Sequence, residues 1–541
     1  MRYFSFLAFV YIGSVSLPGQ SAGRLDQAQI AAGLKPDLAA EQKRVTAVPL
    51  SATDIVIEWK APRLEPESFV IERRSLTSGA WISVATLGGH TRLYRDSGLA
   101  PRTLYEYRVT ATTAGTDSVL DKSIFAKTDD PARRTIFFVS ANTGNDNNPG
   151  TEALPWKSLQ HAHKKLQPGQ TVLVKAGEYR SKNFAVLAIT NSGRPDAWIT
   201  YRNFPGQRPA IRSTVRANWS GIDVRHASYI VIDGFEFIGH SSEVNLKEAL
   251  AEMRKPTPYA SSSGISVESR DLKKPIAHHV IIRNNYIHDH PLAGIGINGA
   301  DYVTLDNNRV AYNSRFSSYG GSGISILVPR DSDKNTTAYK FIVRNNVSKE
   351  NSNEVACGCY DYKQPTDGNG IILDSYKGYK GRTLITNNLV YNNGGRGIHI
   401  FHAGNADVFF NTSVRNSKIA ITGDGEITVV ESKNVRVRDN IMVARDDRPV
   451  NSTRKSQNVD FSYNIVSGGT RFAATNNDTN RLDTDPLFVN GDGSQSAGFA
   501  LRPDSPAIDS ASGTVPPPGN DLYLGARGQG SSADVGALES N

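Results

Sequence analysis

Val280-Ile-Ile-Arg-Asn-Asn285, Gly294-Ile-Gly-Ile297 and Val303-Thr-Leu-Asp-Asn-Asn308 follow one another in the middle of the chain. The first and third segments share a pattern of alternating aliphatics closed by an Asn pair. It returns as Phe341-Ile-Val-Arg-Asn-Asn346, Leu384-Ile-Thr-Asn-Asn388, Val408-Phe-Phe-Asn-Thr412 and Val435-Arg-Val-Arg-Asp-Asn440. The shortest spacings are about 23 residues, a solenoid period; longer gaps are the same rung carrying an inserted loop. The middle segment belongs to an interleaved series: Gly264-Ile-Ser-Val, Gly294-Ile-Gly-Ile, Gly323-Ile-Ser-Ile, Gly370-Ile-Ile-Leu and Gly397-Ile-His-Ile. Side chains alternate along a strand, so the aliphatic second and fourth positions face one interior. A stacked aliphatic column requires parallel, in-register rungs. β-Branched content and Asn pairs argue against leucine-rich and helical solenoids. Asn tolerates a left-handed turn, and its amide bonds to the next Asn in a stack, so Asn285, Asn308, Asn346, Asn388 and Asn440 read as architectural.

Composition divides the chain. Of 39 asparagines among 541 residues, none precedes Asn142. Even usage would place about ten there, so two architectures are joined near that point. The net charge of +8 fits an acidic polymer partner, spread too thinly to single one out. Two cysteines exclude a disulfide scaffold, and Cys357-Gly-Cys359 is too small a set for structural zinc; whether the two pair stays open. Residues 1–22 are expected to be a secretory signal, with Arg2 before a short apolar run and Ala22 near the cut. Residues 23–43 read as a linker. No later segment is long and apolar enough for a membrane span. The mature chain is therefore expected to be a soluble monomer, secreted or periplasmic in a bacterium, with neither nucleic acid nor membrane insertion implied.

Residues 44–128 carry short alternating segments such as Asp54-Ile-Val-Ile-Glu-Trp59 and Ser68-Phe-Val-Ile-Glu72, separated by Gly turns, which predict a β-sandwich. Trp59 in an early strand and Leu99-Ala-Pro-Arg-Thr-Leu-Tyr105-Glu-Tyr107 resemble the core Trp and tyrosine corner of fibronectin type III domains. The resemblance implies a spacer or adhesion module, with Trp59 and Tyr107 in its core.

Ile136-Phe-Phe-Val139, Pro155-Trp156-Lys-Ser-Leu159 and Val172-Leu-Val174 resemble the N-terminal cap of exported right-handed parallel β-helix proteins. Residues 134–541 resemble the pectate-lyase-like superfamily of such proteins, which includes calcium-dependent polysaccharide lyases. The expected fold is all-β: a fibronectin-like sandwich, a β-helix over 134–505, and a closing segment over 506–541 whose acidic residues tie down loops. In the family-nine lyases a Lys base follows an Asp-Gly turn, and aspartates hold calcium. Here Ile372 stands near the expected Lys, while Arg396 and His399 stand where aspartates are expected. The resemblance therefore carries the fold and not that site. Calcium is compatible but no cofactor is required, and the metal is unknown.

The outward positions of the Gly-led series are Ser266 and Glu268, Gly296 and Asn298, Ser325 and Leu327, Ile372 and Asp374, and His399 and Phe401. Neighbouring rungs lie about 4.8 Å apart, which places Asp374 near His399 and Glu268 roughly 14 Å away. The segment 367–402 combines Asp367, Asp374, Tyr376, Lys377, Lys380, Arg396, His399 and His402. Cations interleaved with aromatic rings suit an acidic polysaccharide, with Glu268 and Asn298 as further substrate contacts. Three functions compete. In β-elimination, Arg396 neutralises a uronate, His399 or Lys377 is the base, Tyr376 or His402 the proton donor, and Asp374 orients His399. In glycoside hydrolysis, Asp367 and Asp374 are the carboxylate pair. In the third, the protein is a non-catalytic glycan binder or adhesin.

Overall fold

A computed structural model describes residues 44–60, 65–75, 79–121, 124–358, 364–419, 425–474, 479–523, 525–528 and 530–540. The expected signal and linker lie outside these residues, as does Cys359; Cys357 is disulfide-bonded.

Residues 45–127 form a sandwich of two antiparallel sheets, one of three strands and one of five. Trp59 packs on Phe69 with ring centroids 5.2 Å apart, and Tyr107 is fully buried. The Tyr105 hydroxyl accepts the Ala100 N–H at 3.0 Å, the local closure expected of a tyrosine corner.

The rest is a coil of three parallel sheets with eleven, ten and eight strands. The Gly-led tetrads form most of the eight-stranded sheet. Ile265 stacks on Ile295, Ile295 on Ile324, Ile324 on Ile371 and Ile371 on Ile398, all in register and fully buried. Each such side chain contributes about 1.5–3 kcal/mol of burial. The leading glycines line a corner with no room for a side chain: a Cβ on Gly370 would lie 2.2 Å from Val390 Cγ1 and 2.8 Å from the Gly397 oxygen. The expected N-terminal cap is present as a helix, Leu159–Lys165, N-capped by Ser158, whose Leu159 and Ala162 close the first rungs of the core.

Asparagine has a sharper role than its sequence pattern implies. Asn285, Asn308, Asn346, Asn388, Asn411, Asn440, Asn464 and Asn480 form one ladder, buried as far as Asn464. The backbone N–H and side-chain amide of each donate to the Oδ1 of the next, at 2.8–3.2 Å. The left-handed residue is the one before: Asn284, Asn307, Asn345 and Asn387, and then Phe410, Asp439 and Tyr463 in later rungs. Stacking and turning, assigned above to the same Asn, are divided between two neighbours.

A second ladder runs Asn313, Asn351, Asn393, Asn416 and ends on Glu426, whose carboxylate accepts the Asn416 N–H at 2.9 Å and the Ser413 hydroxyl at 2.8 Å. Burial pushes the Glu426 carboxyl up to about 7, against those hydrogen bonds. Its folded value is raised, so its contribution to stability is complete below about pH 4.5 and is lost as pH rises through 7. Glu426→Gln should therefore remove about 3 kcal/mol of stability change between these limits, read from denaturant unfolding at a series of pH values.

The C-terminal segment does not only close the coil. It runs along its flank, with Val515 and Ala533 on Tyr339, Leu384 and Phe409, and with Leu522 and Leu538 on Leu389 and Tyr391. Its acids tie down loops as expected: Asp521 accepts the Tyr523 N–H, and Asp534 those of Asp509 and Ser540.

The sandwich is no free spacer. Val48, Leu50 and Val56 share a buried cluster with Ile136, Phe138 and Leu173 of the coil, and Arg95 pairs with Glu152 at 3.1 Å. The two parts should melt in one calorimetric transition. Leu50→Asp, which places a charge in that cluster, should split it into two.

Candidate functional site

The strand Ile371–Asp374 ends at Ser375, where φ is +59°, and the next rung, Ile398–Phe401, ends at His402, where φ is +47°. Val328 and Glu431 turn the same corner in the flanking rungs with φ of +45° and +51°. These left-handed residues throw a row of side chains across the end of the sheet. Asp374 stands opposite Phe401 in register, and His399 stands between Ile372 and Thr428.

Asp374 is half-buried and faces outward, because Ile371 and Leu373 face the core. Its Oδ1 accepts the Ser375 hydroxyl at 2.8 Å. Burial raises its carboxyl above the ordinary range, opposed by that bond and by the nearby His402 charge.

Asp367 comes from the Gly-rich turn before the same strand. It is half-buried; Thr366 Oγ1 donates to its Oδ2 at 2.8 Å and Asn369 Nδ2 to its Oδ1 at 3.4 Å. A Cβ on Gly320 would come within 2.4 Å of Oδ2, and Gly320 has φ of +66°, so only glycine lets the carboxyl lie there. Burial pushes Asp367 up to about 6; the Thr366 hydrogen bond opposes the shift and the Asp374 charge adds to it.

Arg396 is half-buried. Its Nη1 donates to the Thr366 carbonyl at 2.9 Å, its N–H donates to Asn369 Oδ1 at 2.9 Å, and its charge acts on both Asp367 and His399. His399 is buried, and burial with the Arg396 charge holds its pKa well below the ordinary value, so its imidazole is neutral. Its Nδ1 meets Thr428 Oγ1 at 2.6 Å. Phe401 stacks between His399, at 5.4 Å, and His402, at 3.9 Å, and His402 Nε2 pairs with Glu431 at 2.8 Å.

Asp367, Asp374, Arg396, His399 and His402 are thus brought together. Several expected roles are corrected. The partner of the His399 ring is Thr428, so Asp374 does not orient it. Tyr376 is in the coil core, packed on Tyr379 and Phe341, and is no proton donor. Lys377 and Lys380 are exposed on the turn beyond the sheet corner, and the Lys380 N–H donates to Asp331. The basic, aromatic stretch is therefore not one surface. Glu268 and Asn298 lie on the same face, Glu268 three rungs from Asp374. Asn369, Thr428 and Glu431 were missed. Extending the tetrad series one rung would have found Thr428, but Ile427-Thr-Val-Val is led by Glu426 rather than glycine.

Among the described residues no three or more His, Cys, Asp or Glu are grouped to hold a metal ion. Among those residues no helix is long and apolar enough to cross a membrane.

Residues 137–315 match the family described as Pel9A-like, right handed beta helix region. That stretch ends before Asp367. The chain is 24% identical over 479 residues to the uncharacterized protein YwoF of Bacillus subtilis (strain 168), covering 72% of this chain and 95% of that protein. Among solved structures it is similar to pectate lyase Pel9A, with 19% identity, a TM-score of 0.45, and coverage of 75% of this chain and 97% of that one. It is also similar to the GH136 lacto-N-biosidase from Eubacterium ramulus, with 16% identity, a TM-score of 0.40, and coverage of 64% and 58%. The family match agrees with the right-handed β-helix that the three parallel sheets form.

Proposed function

We propose that the protein is an exported carbohydrate-active enzyme that hydrolyses a glycan, with Asp367 and Asp374 as its carboxyl pair. The observation that carries this reading is a carboxyl in the Gly-rich turn and a second on the outer face of the strand that follows, each raised by burial, with the Asp374 charge acting on Asp367. Coupled carboxyls of that kind separate into an acid and a base. Asp367, pushed up to about 6, is the acid. It gives its proton to the glycosidic oxygen as the bond to the anomeric carbon breaks. Asp374, with Ser375 and His402 favouring its charged form, is the carboxylate that activates water or attacks the anomeric carbon itself. The half-buried His402 ring, stacked on Phe401, offers aromatic surface to a sugar, and Arg396 and the exposed Lys377 and Lys380 favour an acidic polymer.

β-Elimination is the second reading, favoured by the neutral His399 imidazole beside the Arg396 charge. In it His399 removes the proton next to a uronate held by Arg396. Neither reading uses Tyr376 as a proton donor or Lys377 as a base.

Incubation with a panel of acidic and neutral polysaccharides separates the two chemistries. Hydrolysis yields reducing ends without ultraviolet absorbance and fails in Asp374→Asn. Elimination yields unsaturated, absorbing ends and fails in His399→Ala. The pH profile gives a further check. Turnover should fall as pH rises through about 6, because Asp367 then loses the proton it must donate. A profile flat from pH 5 to 8 contradicts Asp367 as the acid.

A further inference from the structure

The same sheet face carries a second built feature at its other end, in the first three rungs. Asp223 faces outward between the buried Ile222 and Val224, yet is only 2% exposed. Its Oδ2 pairs with Arg225 at 2.8 Å, while its buried Oδ1 has no hydrogen-bond partner among the described residues. A buried carboxylate oxygen without a donor is costly, and a ligand hydroxyl would relieve that cost. Glu268 lies diagonally in the next rung and is held by Arg270 at 2.8 Å. Burial raises both carboxyls, and each stays tied to its arginine.

Beside them, Phe184 and Trp219 stack at 6.4 Å and 25°, and Phe184 is 46% exposed. The Arg225 guanidinium lies 4.7 Å over the Phe184 ring, which joins the aromatic pair to the carboxyl pair. Aromatic faces take the C–H face of a sugar ring, and carboxyl oxygens take its hydroxyls. Between this feature and the Asp374 site the face is low. A Cβ on Gly296 would meet only Ala293, at 3.7 Å. Four rungs separate the Asp223 strand from the Asp374 strand, where Arg225 rather than Asp223 is in register with Asp374, roughly 19 Å at the spacing of parallel strands.

We propose that Phe184, Trp219, Asp223 and Glu268 form a distal saccharide subsite that takes a hydroxyl-rich sugar unit of the same glycan chain that is cut at Asp367 and Asp374. The proposal rests on reading this face as a glycan-cleaving surface. It implies a polymeric substrate laid along the sheet, because one disaccharide cannot reach both places.

The test uses the full chain carrying Asp374→Asn, probed on an array of neutral, amino and uronic oligosaccharides in short and long forms. At least one long glycan should be captured. Adding Trp219→Ala, Phe184→Ala or Asp223→Asn should weaken that capture roughly tenfold, with capture of short fragments and the melting temperature unchanged. Asp223→Asn keeps the side-chain shape, and Phe184 is exposed, so at least two of the variants should fold. Equal capture by the distal variants, or no capture of any long glycan, overturns the subsite. Cleavage is scored separately on the otherwise unaltered chain. Distal variants that weaken capture while Asp374→Asn cuts as fast as its parent would retain the subsite and overturn the hydrolytic reading. Loss of cutting in Asp374→Asn with unaltered capture by distal variants would do the reverse.

Discussion

Asp374→Asn should lower kcat on the cleaved glycan by about 10³-fold, with KM nearly unchanged. The amide keeps the size of the carboxyl and its contact with Ser375, but supplies neither a base nor a nucleophile. Asp367→Asn should lose a similar factor on a natural linkage. It should lose far less on a substrate whose leaving group needs no proton, such as a nitrophenyl glycoside, because only the acid step is missing. The falling pH limb near 6 should vanish in that variant. His399→Ala should be milder, since His399 is buried against Thr428 and its contribution is to hold Phe401 flat. Steady-state kinetics on the three variants measure all of this. A larger loss in His399→Ala than in Asp374→Asn would favour elimination.

Asn346→Ala should cost about 3–5 kcal/mol of stability, the largest effect expected of a single substitution away from the aliphatic core. The Asn346 amide donates to the Leu305 and Arg344 carbonyls and to Asn388 Oδ1. Its Oδ1 accepts the Asn308 N–H and side-chain amide at 2.9 and 3.0 Å. Alanine leaves these groups buried without partners, at about 1–3 kcal/mol each before relaxation. Asn307→Ala, one residue earlier in the preceding rung, loses one exposed bond and a left-handed preference, and should cost about 1 kcal/mol. Urea unfolding of the pair measures the contrast. Equal losses would mean that the buried ladder contributes no more than the turn.

The coil could be read from sequence because its signal is repetitive. Each Gly-Ile-x-Ile tetrad is forced by the same two facts, a corner without room for a Cβ and a core two positions wide. The Asn pairs reported their own position but not their division of labour, since Asn284 and Asn285 are chemically identical and only the backbone separates turning from stacking. The Gly-led alternation also placed Asp374 and His399 on the outer face correctly. It could not place Tyr376, Lys377 and Lys380, which follow the strand. Beyond Ser375 the chain leaves the alternation, and Tyr376 swings into the core while the lysines go to solvent. Thr428, Glu431 and the docking of the sandwich through Leu50 and Leu173 depend on contacts between distant segments, which no local pattern records. The Asp223 and Glu268 pair was half seen. Glu268 stands in a tetrad rung, and Asp223 lies in Gly221-Ile-Asp-Val224, the Gly-led tetrad one rung earlier.

Digestion in heavy-oxygen water tests the central claim most directly. Hydrolysis through Asp367 and Asp374 puts a solvent oxygen on the new reducing end, so mass spectra of the fragments should show one heavy oxygen per cut, with none in Asp374→Asn. Fragments that carry no solvent oxygen and lack the elements of water would contradict the account and establish elimination instead.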